Sequence, residues 1–192
     1  MITPLAAPIL SAWPTARGSL PRSVLLALLG TLLLWVSAKV QVPFWPVPMT
    51  MQTAVVLLIG AVYGPSLGAA TVGVYLLEGA LGLPVLAGTP ERGSGLPYML
   101  GPTGGYLAGF VLAAAVAGWT VGRTRRPLAV LAGMAAGLIA ANGLGFAWLA
   151  TLIGAAKAFN AGVLPFLLGE SVKAALVTGT VLALDACVRS QD

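Results

Sequence analysis

Long apolar stretches separated by proline, glycine and charge clusters organise this chain, and they predict six helices at about 23–39, 49–63, 65–82, 101–121, 127–156 and 162–188. A run of roughly 20 apolar residues crosses a 30 Å hydrocarbon core. The second run is short by that measure, and the fifth is long enough that it must tilt, kink or leave the bilayer early. Asn142-Gly143 with Gly145 is the expected irregularity within it. The fold class expected is therefore an all-α integral membrane protein, a six-transmembrane-helix bundle. Its domain organisation reads as an N-terminal arm over 1–22, a membrane domain over 23–188 and a short tail over 189–192.

Two connections break the pattern. Lys39 to Pro48 carries Pro43, Pro46 and Pro48, which forbid regular helix and favour a stiff, extended loop whose aromatics belong at an interface or over a site. Gly82 to Leu100 is longer and glycine-rich from Gly88 to Gly95, and non-helical backbone of that kind must meet water or protein, capping the bundle or lining a cavity. The polar exceptions inside the apolar runs matter as much. Glu170 and Lys173 share one face of the last predicted helix at i and i+3, about 12 Å and about 16 Å along it if it starts near Gly162. An unpaired charge in hydrocarbon costs about 2.5–3.5 kcal/mol on insertion scales. The pair is either self-neutralising and structural, or an acceptor and a donor offered to a small polar ligand. Asp185, some 35 Å along the same helix, is expected to snorkel to the interface, as is Glu78 near the end of the third helix.

Composition sharpens this picture. The chain of 192 residues is 58% hydrophobic and 8% charged, with a mean hydropathy of +0.97, which excludes an ordinary water-soluble domain. With no histidine and one cysteine, Cys187, there are no His-based metal sites, no Ser-His-Asp or Cys-His catalysis and no intramolecular disulfide, so an enzyme is not expected. The net charge of +5 resides at helix ends and leaves no nucleic-acid patch. With the N-terminus cytoplasmic, Arg17, Arg22, Arg123, Arg125, Arg126 and Arg189 fall inside, and Lys39, Arg92 and Lys157 fall outside. The positive-inside rule thus favours both termini in the cytoplasm and both unusual loops outside. The segment before Pro21, with four prolines in Met1 to Pro21, does not read as a cleaved secretory signal.

Four strings carry a family resemblance: Lys39-Val-Gln-Val-Pro-Phe-Trp-Pro-Val-Pro-Met-Thr-Met-Gln52-Thr, Gly79-Ala-Leu-Gly-Leu-Pro-Val-Leu-Ala-Gly88, Gly101-Pro-Thr-Gly-Gly-Tyr-Leu-Ala-Gly-Phe110 and Leu164-Pro-Phe-Leu-Leu-Gly-Glu-Ser-Val-Lys173. Together they resemble the BioY family, the biotin-specific substrate-capturing (S) components of energy-coupling factor (ECF) transporters, over about Val24 to Val188. The resemblance implies a multi-pass protein of a bacterial cytoplasmic (inner) membrane that binds biotin as its transported ligand and uses no cofactor. It implies that Lys173 and the acid at Glu170 help hold biotin, with the proline-rich loop ending at Gln52 and the loop containing Arg92 closing over the site. The family usually has Asp where this chain has Glu170, one methylene shorter.

Biotin joins a carboxylate on an aliphatic tail to a ureido ring with two N–H donors and one carbonyl, which suits a cation at one point and an acceptor at another. Lys173 can serve either the carboxylate or the ureido oxygen. Gln52, able to donate and accept, suits the ureido group or caps its helix; Tyr98 is a pocket wall or an interface aromatic; Tyr106 can point a hydroxyl inward. Asn142 must find a partner at membrane depth, through helix–helix hydrogen bonding ahead of ligand contact. Gly101-Pro-Thr-Gly-Gly-Tyr lacks the Lys-Ser/Thr of a phosphate loop and reads instead as a helix start with Pro102 in the first turn.

Ser23, Ala27 and Thr31 make a small-residue face on the first helix. Such a face docks either within the protein or, as the resemblance implies, against a transmembrane coupling subunit joined to two ATPase subunits. No Walker A string is present, so ATP hydrolysis belongs to other chains. The competing readings are an S component for another vitamin, an intramembrane enzyme, which lacks a nucleophile–base pair, and a structural or assembly protein with a self-neutralising Glu-Lys pair.

Overall fold

The structure, a computed structural model, describes residues 19–88 and 95–190. The expected N-terminal arm up to Gly18 and the candidate Arg92 lie outside those residues. Helices follow one another along the described chain: α1 (Leu20–Lys39), α2 (Gln52–Tyr63), α3 (Pro65–Ala80), a short α4 (Leu96–Met99), α5 (Gly104–Val121), α6 (Pro127–Ile153), α7 (Ala155–Gly162) and α8 (Leu167–Arg189), with a 3-10 turn at Leu164–Phe166. Prolines open α1, α3, α4 and α6 at the first or second position, where the missing N–H costs nothing.

Four segments are long and apolar enough to cross a membrane: α1, α5, α6, and α7–α8 taken together over Ala155–Val188. The helices α2 and α3 have 12 and 16 residues, about 18 Å and 24 Å of rise, so neither reaches across a 30 Å core alone. They meet at Gly64, whose φ of 85° stops one helix and starts the other.

Several expected boundaries move. The proline-rich loop is a hairpin in which β1 (Gln41–Val42) pairs antiparallel with β2 (Met49–Thr50), so the second helix starts at Gln52 rather than Met49. The turn over 101–103 holds Pro102 outside α5. No irregularity falls at Asn142: α6 runs unbroken through it, and the Asn142 side chain donates to the Leu138 carbonyl one turn back, 2.9 Å away. That also replaces the expected helix–helix hydrogen bond. The break comes instead at Gly154, φ 86° and ψ 149°, a conformation open essentially to glycine alone. The last long helix consequently begins at Leu167, and Glu170 and Lys173 occupy its first two turns, about 5 Å and 9 Å along it rather than 12 Å and 16 Å.

The centre of the bundle is α5, which packs on α2, α3 and α6 through small residues. A Cβ on Gly109 would sit 2.6 Å from the Ala141 Cα of α6, and one on Gly118 would meet the α2–α3 corner at Gly64 and Pro65. Helices this close gain dispersion contacts that lipid cannot supply. The lipid-type surface is clear on α1, where Leu25, Leu28, Leu29, Leu32, Leu33 and Val36 are exposed. Thr31 is buried, while Ser23 and Ala27 are half-buried, so the three do not form one accessible face. At one end of the bundle Arg125 pairs with Asp185 at 2.9 Å, tying the α5–α6 turn to α8. The hairpin, the 81–88 loop, the start of α5 and the α7–α8 junction gather at the other.

Candidate functional site

Beneath the hairpin lies a narrow cavity of about 40 Å³, walled by the hairpin, α2, α5, α6 and the start of α8. Its polar floor is built from two elements. On α8, buried positions recur as Glu170, Lys173, Ala174, Val177, Thr178 and Val181, a single stripe at helical spacing that turns both charges inward. Opposite them, the segment leading into α2 supplies Thr50 and Thr53. Lys173 Nζ donates to Glu170 Oε1 at 2.9 Å, to the Thr50 carbonyl at 2.6 Å and to Thr53 Oγ1 at 3.0 Å. Thr53 Oγ1 in turn donates to Glu170 Oε1 at 3.1 Å.

An ammonium has three N–H donors, and here all three are used. The carboxylate is different: Glu170 Oε2 is buried without a hydrogen-bond partner among the described residues. Glu170 lines the cavity, whereas Lys173 lies behind it. A buried acceptor left unmade costs about 1–3 kcal/mol, more when charged, so the arrangement favours a guest that brings a donor to that oxygen. The first turn of α8 adds a modest favourable field for the carboxylate.

The remaining expected site residues divide cleanly. Gln52, Tyr98, Tyr106 and Asn142 all line the cavity beside Glu170. Gln52 is not a cap: its Nε2 donates to the Tyr75 hydroxyl at 2.7 Å, leaving its carbonyl for other partners. The Tyr106 hydroxyl donates 2.6 Å to the Gly162 carbonyl, so this tyrosine offers the cavity its ring rather than its donor. Phe166 completes an aromatic wall, 6.3 Å from the Tyr106 ring edge-on and 6.2 Å from Phe44 of the hairpin. Tyr98 and Thr103 also line a second hollow, together with Trp45 and Pro46 of the hairpin and with Pro97, Gly101 and Pro102 before α5. Sequence reasoning missed Thr50, Thr53, Tyr75 and Phe166. Thr50, Thr53 and Phe166 sit inside the quoted strings, and only Tyr75, one aromatic in an apolar helix, carried no signal at all.

The fold and the site together define a polytopic helical membrane protein whose buried polar groups converge on a cavity near one end of the bundle. The BioY family model matches residues 11–190, and the chain belongs to the BioY family. It is 36% identical to the biotin transporter BioY of Thermotoga maritima, over 85% of this chain and 94% of that one. It is 42% identical to the biotin transporter BioY of Rhodobacter capsulatus, over 70% of this chain and 76% of the other. In fold it is similar to a solved S-component for biotin from an ECF-type ABC transporter, with a TM-score of 0.74, 24% identity, and coverage of 86% of this chain and 92% of that one.

Proposed function

We propose that this protein captures biotin from outside the cell and serves as the substrate-binding component of an ECF-type transporter in a bacterial cytoplasmic membrane. The observation that carries the reading is the buried Glu170 Oε2, without a hydrogen-bond partner among the described residues, on a residue that lines the cavity beneath the hairpin. A ureido N–H supplies the donor that oxygen lacks. Lys173 neutralises Glu170 and fixes its rotamer, Gln52 keeps a carbonyl for the second N–H, Tyr98, Tyr106 and Phe166 hold the rings and aliphatic tail, and Asn142 lies within reach from α6. Arg92, outside the described residues, is the candidate for the tail carboxylate.

In the bilayer the six longer helices cross with both termini cytoplasmic, α2 and α3 doing so as short spans in a locally thinned membrane. The coupling subunit, with its two ATPase subunits, docks against the α1 face that carries Ser23 and Ala27 and is extended by the exposed leucines; this protein contributes no catalysis. A thermal-shift series tests the ligand assignment. Biotin at a hundredfold excess over its Kd is expected to stabilise the purified protein by about 2.7 kcal/mol, with thiamine and riboflavin inert. Stabilisation by another vitamin in place of biotin would transfer the site to that ligand, and stabilisation by none would make the Glu-Lys pair structural.

A further inference from the structure

The loop between α3 and α4 returns three consecutive carbonyls to the bundle, each caught by a different side chain. Trp35 Nε1 donates to the Pro84 carbonyl at 3.1 Å, the Tyr75 hydroxyl to Val85 at 2.8 Å and Lys39 Nζ to Leu86 at 2.8 Å. Leu86 is buried, its side chain seated against Gly79 of α3 where a Cβ would come within 2.8 Å of it. The next residue, Ala87, lines the ligand cavity. Tyr75 also accepts from Gln52, another cavity residue, so one continuous hydrogen-bonded path runs from the cavity wall through α3 to the loop.

Each donor would satisfy itself elsewhere if the loop had no fixed place. Trp35 and Lys39 are four residues apart on the last turn of α1, where a lysine ordinarily reaches for its own helix's free carbonyls or for water. Here the ammonium instead holds a loop 47 residues further along the chain. Charge-assisted bonds of this kind are about twice as strong as neutral ones. From this we infer that Trp35, Lys39 and Tyr75 are positioning residues: a three-point clasp from α1 and α3 that holds the Ala87 wall over the cavity and sets how long a bound ligand stays. Because two of the three points sit on α1, any partner that displaces this helix also loosens the wall, which links the face carrying Ser23 and Ala27 to ligand release. The inference rests on the biotin reading above and adds to it the residues that govern the off-rate.

The test uses the full-length protein in lipid nanodiscs and follows release of radiolabelled biotin. Lys39→Met keeps the apolar stem and removes the donor; Tyr75→Phe and Trp35→Phe do the same at the other points. Each is expected to raise the dissociation rate about three- to tenfold, the size of one net hydrogen bond, with the association rate within twofold and Lys39→Arg restoring the original rate. Unchanged release in Lys39→Met, with the parent protein binding biotin, overturns the clasp and leaves the ligand assignment standing; a parent that binds no biotin overturns both. A ligand-free measurement guards against misfolding. With Cys187→Ser and Ala87→Cys as background, Lys39→Met is expected to raise maleimide labelling of position 87 severalfold, and equal labelling with and without Lys39 overturns the clasp.

Discussion

Glu170 and Lys173 act as a unit, and their division of labour is set by valence. Three donors on the ammonium meet three acceptors inside the protein, while one carboxylate oxygen has no donor among the described residues. Removing Lys173 alone strands a buried carboxylate, a loss of about 3–5 kcal/mol, so Lys173→Met is expected to lower the melting temperature and weaken biotin binding at least tenfold. The double variant Glu170→Leu with Lys173→Met separates structure from function. Its melting temperature should return to near that of the parent while binding stays lost, as read by calorimetry and equilibrium binding on the same preparation; recovery of both would make the pair purely structural. This pair was legible from sequence because charge in an apolar run is rare. The roles within it were not, since the Thr50 carbonyl and the Thr53 hydroxyl that saturate Lys173 come from 123 and 120 residues away and a hydroxyl at the start of an apolar helix leaves no periodic signature.

The longer helices followed from apolar continuity, whereas the short α4 and α7 did not, and helix ends followed backbone chemistry that continuity does not encode. Asn142-Gly143 looked like a break and is not one: α6 continues through it, with the asparagine side chain bonded to its own helix four residues back. Gly154 is one, and its neighbours Ile153 and Ala155 give no warning of the positive φ between them. Gly154→Ala is expected to cost about 1–3 kcal/mol and to lower the melting temperature in detergent without changing biotin affinity; an unchanged melting temperature would mean that the corner relaxes freely. On α1, Ala27 is half-buried beside exposed leucines. A bulky Ala27→Trp is expected to leave biotin binding within twofold and to cut uptake severely in cells that carry the coupling subunit and its ATPases. Uptake equal to that of the parent would reject α1 as the docking helix.

At the scale of the whole molecule, the asymmetry of the two ends is the organising fact. One end gathers the hairpin, the clasped loop and the ligand cavity; the other gathers Arg123 stacked over Trp119 and Arg125 paired with Asp185. In the proposed orientation, which follows the positive-inside rule, the cavity faces outward. A single cysteine at Thr124, in a Cys187→Ser background, is expected to react with an impermeant maleimide only after the cells are opened, and labelling of intact cells would invert the topology. The family was readable from four ordered strings, whereas the clasp was not, because its acceptors are backbone carbonyls to which sequence is blind. The most direct measurement is equilibrium binding of radiolabelled biotin to the purified protein, with thiamine and riboflavin as competitors. Saturable one-site binding that unlabelled biotin abolishes and neither competitor touches is the result expected; a folded preparation that retains no biotin would contradict the account at its centre.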